Sequence, residues 1–190
     1  MSPEILLMVS PRQTYALLAR RTGRVTMLTP LRRPLLVSIV LGASAAIGAT
    51  GHVTPALVLS TTICWSFVVV LQVGIALAVI AGPARRTVGL ARALDLYFAA
   101  HAPWSLWMLA GVAWAPSAVG RPLTPLLVAA AVPLILTPRI LAAFFREILE
   151  LDPRNAMART AAQQAMTWVT FVMLFGTAVA LVPRVLEWFA

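Results

Sequence analysis

The sequence is short of charge, of acidic residues above all, and of the side chains that usually carry catalysis. Only 11% of its 190 residues are charged and only six are acidic, against roughly a quarter charged in ordinary soluble domains, too few to cover a water-soluble fold. Lysine is absent and all fifteen basic residues are arginine, as a GC-rich coding bias would produce. The single cysteine, Cys64, excludes an intrachain disulfide and CxxC redox chemistry. Two histidines, His52 and His101, are too few for a His-rich metal site. No GxSxG elbow, Walker glycine loop or HExxH pair is present. An enzyme is therefore not expected, and neither is a cofactor. The formal charge of +9 and pI near 11.7 do not imply nucleic acid, because the arginines sit beside apolar runs rather than among base-stacking aromatics on a soluble face.

What is abundant is apolar: 61% of residues are hydrophobic. The stretch Thr54 to Ala81 holds 28 residues without a charge, about 42 Å of helix against a hydrocarbon core of about 30 Å. Its one strongly polar side chain is Gln72, so no polar stripe is available to meet water. The expected fold is all-α, a polytopic helical bundle of about five spans at 35–50, 55–81, 95–115, 124–145 and 166–182. Residues 1–34 form a leading cytoplasmic or interfacial segment, and 35–190 the membrane domain.

Local signals set the details. Ser10-Pro11, Thr54-Pro55 and Asp152-Pro153 read as N-caps followed by proline at the first helical position. Gly82-Pro83 predicts a stop for the second span, Pro103 a kink in the third, and Pro133 and Pro138 bends in the fourth. Gly42 to Gly48 is rich in small residues, which predicts close packing of the first span against another helix. Trp104, Trp107 and Trp114 make an aromatic side read as packing and anchoring. From Ser10 onward, Tyr15, Leu17 and Leu18 are expected on one side and Arg20, Arg21 and Arg24 on the other, a helix lying on a membrane surface. A solvated basic tail is the competing reading. The apolar run Ile5 to Val9 lacks a basic lead and is short, so it is expected to be retained.

The arginines orient the chain. Thirteen fall before the first span, after the second or around the fourth-to-fifth connection, and only Arg121 and Arg184 fall on the other side. The positive-inside rule then places the N-terminus in the cytoplasm and the C-terminus outside, with anionic lipid head groups as partners of the arginine clusters.

A Pro-Arg-Gln-Thr-Tyr element at Pro11 to Tyr15, a basic entry to the first span at Arg32-Arg33-Pro34 and five closely spaced helices resemble the bacterial branch of the Yip (Ypt-interacting protein) membrane family. The resemblance implies a small inner-membrane scaffold or adaptor that engages another membrane protein or itself. It brings no catalytic residue with it.

Two site expectations follow from polar residues near the spans. Gln72, His101 and Arg139 lie at similar helical depths, which predicts a cytoplasm-facing polar pocket with Asp95 and Glu147 at its mouth and Arg139 as the partner of an anion. The competing reading lets Arg139 snorkel to the interface and satisfies His101 with a helix carbonyl. The hairpin 139–164 is expected to dock a partner through Glu147, Leu149, Glu150, Arg154 and Met157, apolar groups interleaved with both signs of charge. An accessory subunit fits this pattern, and a component of a transporter for a lipid or small anionic solute is the alternative.

Overall fold

The computed structural model describes residues 3–20, 25–26, 28–114 and 124–188. Among them the regular structure is entirely helical. In order come α1 (Pro3–Val9), α2 (Pro11–Ala19), a 3-10 turn (Thr29–Leu31), α3 (Arg32–Thr50), α4 (Pro55–Arg86), α5 (Leu90–Ala99), α6 (Ala102–Trp114), α7 (Thr124–Ala129), α8 (Ala131–Glu147) and α9 (Pro153–Trp188). The roles expected of Arg21, Arg24, Arg121, Trp114 and Arg184 fall outside the described residues and side chains.

Helix starts follow the predicted chemistry. The Thr54 hydroxyl accepts the Leu57 N–H at 3.3 Å ahead of Pro55. Ser10 holds the cap position of α2 without a side-chain cap, and its carbonyl accepts the N–H and hydroxyl of Thr14 instead.

The prolines act differently from expectation in three places. Gly82-Pro83 does not stop α4, which runs on to Arg86 with Pro83 inside it. Pro83 has no N–H for the carbonyl of Val79, four residues back, and Nη1 of Arg159 on α9 donates to that carbonyl instead. The expected third span at 95–115 is two helices that part at Ala100-His101. Pro103 has no N–H for the Ala99 carbonyl, and the Ala100 and His101 N–H groups turn to Tyr97 and Phe98 at 3.0 and 3.1 Å. The fourth span breaks at Ala130 between α7 and α8, one turn before Pro133, while Pro138 stays inside α8.

Three helical stretches, Thr29–Ile47, Pro55–Arg86 and Thr124–Glu147, are long and apolar enough to cross a membrane, and only 28% of each apolar window is buried in the bundle. The expected span at 166–182 lies within α9. Exposed Leu35, Leu36 and Ile39 on α3, Leu59, Ile63, Phe67 and Val70 on α4, and Val132 and Ile135 on α8 leave wide apolar faces uncovered.

The core lies beyond the exposed faces of α4 and α8, toward the C-terminal ends of both helices. It joins the last turns of α4 (Ala76 to Ala84), the inner side of α5 (Ala93 to Ala99), the second half of α8 from Ile140 with Ile148 and Leu149 just beyond it, Ala156 of α9, and Leu7 and Tyr15 of the N-terminal arm. The ring of Phe144 meets Tyr15 and Tyr97 edge-on at 5.8 and 5.9 Å, pairs worth about 0.5–1.5 kcal/mol each beyond burial. Tyr15 therefore faces inward while Leu17 is exposed. The shared side expected for these two residues fails because positions two apart on a helix lie about 200° apart. Elsewhere, α3 and α4 pack through the small-residue stretch, where Gly42 is buried against Thr62 and its carbonyl accepts the Thr61 hydroxyl at 2.8 Å. Trp104 stacks edge-on to Trp107 and to Trp168 of α9, so these rings serve packing.

Candidate functional site

The break between α5 and α6 places a polar side chain among apolar helices. His101 sits at the joint, with Nδ1 3.2 Å from the Tyr97 carbonyl and Nε2 3.4 Å from Nε2 of Gln163 on α9. An amide nitrogen can only donate, so Nε2 of His101 accepts and Nδ1 carries the hydrogen that goes to Tyr97. Gln163, 2% exposed, also donates to Oγ1 of Thr167 at 3.2 Å, and its own oxygen accepts from Gln164 at 2.9 Å. The result is a continuous polar link from the α5 C-terminus to α9, each member satisfied, which fixes the register of the two elements.

The other four members of the expected pocket do not join this link. Among the described residues no hydrogen bond or ion pair connects His101 to Gln72, Arg139, Asp95 or Glu147. Gln72, Asp95 and Glu147 are half-buried and Arg139 is exposed. Similar depth does not give similar direction. The inward side of α8 is set by Pro133, Thr137, Ile140, Leu141 and Phe144, and Arg139 falls on the other side. Gln163 lies in a polar stretch at the start of α9 and is not among the side chains expected to form a site. Its signal is the inward stripe Ala156, Thr160, Gln163, Thr167, spaced four, three and four residues apart. Among the described residues no three His, Cys, Asp or Glu side chains gather as metal ligands.

The second candidate is the corner between α8 and α9. Here Glu150 takes a left-handed backbone, φ 53°, and the Leu151 N–H returns to the Phe145 carbonyl at 3.1 Å. One Asp152 oxygen then accepts the N–H groups of Arg154 and Asn155 at 3.0 Å each, starting α9. These donors, the Asn155 N–H and side-chain amide foremost, hold the Asp152 carboxyl below its usual range. The turn sends Ile148 and Leu149 into the core, Leu149 being 2% exposed, and leaves Glu150, Arg154 and Met157 outside, Met157 at 70%. Leu149 is thus not a surface residue as expected. With Ile148 it joins the buried cluster that holds Phe144 and Phe145.

Long-range donors hold this end together. Arg92 of α5 donates to the Leu18 carbonyl at the end of α2 at 2.6 Å, while Tyr15 of α2 donates to the Leu96 carbonyl near the end of α5 at 3.1 Å. Each helix supplies the donor that the other's terminus lacks. Glu4 of α1 pairs with Arg33 at the start of α3 at 3.0 Å. Other arginines of this end, among them Arg12, Arg20, Arg32, Arg85, Arg86 and Arg154, point to the exterior. Compared with known proteins, the chain matches no family model, no curated protein and no solved structure.

Proposed function

We propose that this chain is a small non-catalytic subunit or scaffold of a bacterial inner membrane, with its N-terminus and the α8–α9 corner in the cytoplasm, and that the corner docks another membrane protein. The observation that carries this is the corner's construction. Asp152 caps α9, Leu149 anchors the turn in the core, and Glu150, Arg154 and Met157 stand outside on a fixed backbone. A partner meeting a preformed surface loses less conformational freedom on binding. The uncovered apolar faces of α3, α4 and α8 are lipid contacts in this account, and the arginines of the packed end follow the positive-inside rule. The five-span, Yip-like organisation belongs to the same proposal, with the α5–α6 pair and α9 as the two further crossings.

Recovery of a stoichiometric partner in mild detergent tests it. Met157→Glu and Arg154→Glu are expected to abolish that recovery with insertion intact, and a partner retained by both variants overturns the docking role. A transporter component is the second reading. It is favoured by the polar link at a broken helix, since discontinuous helices and polar groups at membrane depth line solute paths. Solute flux by the purified protein, lost in Gln163→Leu, would support it.

A further inference from the structure

We propose that the outward face of the α1–α2 arm is a lipid-binding surface that lies on the anionic head groups of the same bilayer the apolar helices enter. The arm has two distinct sides. Leu7, Pro11, Thr14 and Tyr15 are buried against the bundle, and Leu18 packs partly beneath them. Ile5, Val9, Arg12, Leu17 and Arg20 face away. Val9 and Leu17, each 63% exposed, are too apolar and too prominent for a face that meets only water. No unpaired carboxylate is left on the arm, because Glu4, its one acid, is paired with Arg33.

Three features select the bilayer as the occupant. The combination of exposed aliphatic side chains with arginines and no unpaired acid matches an anionic interface, where the chains enter the acyl boundary and the guanidinium groups meet phosphate. Glu4 of the arm pairs with Arg33 at the start of the apolar stretch Thr29–Ile47, and Leu28 just before that stretch is 75% exposed, so the arm is held at the level where the stretch enters the membrane. The inner side of the arm is fixed to the bundle by the Tyr15 and Arg92 hydrogen bonds, which leaves the outer side in one orientation. This deepens the membrane account above and rests on it.

The test uses fluorophore-labelled cysteines in nanodiscs. The native Cys64, exposed on α4, reports whether the bundle sits in lipid at all. Leu17→Cys and Val9→Cys, each in a Cys64→Ser background, report on the arm, and Met157→Cys marks an aqueous position. In discs containing phosphatidylglycerol, labels at positions 9 and 17 are expected to be quenched by lipid-attached nitroxide at shallow depth and protected from iodide. Arg12→Gln with Arg20→Gln, or discs of phosphatidylcholine alone, are expected to weaken that contact. Iodide quenching equal to that at position 157, shielding from both quenchers as a protein cover would give, or contact indifferent to anionic lipid each overturns the inference. If Cys64 is quenched by lipid in that case, the arm proposal alone has failed. If Cys64 is not, the membrane account fails with it.

Discussion

Arg159 on α9 donates to the carbonyl of Val79 on α4, the carbonyl that Pro83 leaves without its helical N–H. A proline that should end a helix instead becomes the place where a distant helix is fastened to it. The same arrangement recurs where Tyr15 meets Leu96 and Arg92 meets Leu18. Such carbonyls would be costly in a water-poor setting, because each lost hydrogen bond there goes unreplaced.

The Arg159 contact predicts a coupled pair of substitutions. Arg159→Ala should destabilise the protein by about 1–3 kcal/mol through the stranded carbonyl. Pro83→Ala restores a backbone donor to Val79, so Arg159→Ala made in that background should lose clearly less. Thermal unfolding of the four proteins in one detergent gives the coupling, and additive losses would show that Arg159 acts some other way.

Tyr15→Phe keeps the ring against Phe144 and removes only the donor to Leu96, which should lower stability by about 0.5–1.5 kcal/mol. Burial pushes the Tyr15 phenol well above its ordinary range, the nearby Arg33 pulling more weakly the other way. The folded state therefore holds this proton more tightly than the unfolded state. Its contribution should be intact below about pH 10, the ordinary tyrosine value, and decline above it. The phenylalanine variant should lack the part of the alkaline loss that Tyr15 causes, as unfolding measured from pH 8 to 11 will reveal.

Gly42→Ala should force α3 and α4 apart. A Cβ there would overlap the Thr62 hydroxyl and approach the Thr62 nitrogen and Cα to 2.7 and 2.8 Å, and backbone cannot yield as a side-chain tip can. A loss of about 1–3 kcal/mol is expected. Gly74→Ala, at a position with open space around it, is the control and should change little.

Asp152→Ala removes the cap of α9. Hydrogen exchange at the amides of Arg154 and Asn155 should quicken, with exchange farther along α9 unchanged. The folded-state carboxyl titrates below its ordinary range, so its contribution is present above the unfolded value of about 3.9 and is lost as pH falls through the folded one. The difference between wild type and variant should therefore shrink in strong acid.

Helix starts were legible in the sequence because a cap residue followed by proline is a local instruction, and Thr54 and Asp152 obey it. The apolar runs were legible too, since length and absence of charge need no partner to interpret. What the sequence concealed was direction around each helix. Gln72, His101 and Arg139 were expected at similar depths, yet His101 meets Gln163, a residue outside the expected pocket. Leu149 looked like surface until the left-handed turn at Glu150 carried the chain back over it. Proline effects were half legible: the loss of a donor is certain from sequence, whereas rescue of the carbonyl by Arg159, 80 residues away, depends on the assembled bundle.

The most direct test of the account is the side of the membrane on which the α8–α9 corner lies. A membrane-impermeant maleimide should label Met157→Cys, in a Cys64→Ser background, in inverted membrane vesicles and not in right-side-out ones. Labelling from the outside would reverse the orientation on which cytoplasmic docking depends, and recovery of the protein in the soluble fraction would contradict the membrane bundle itself.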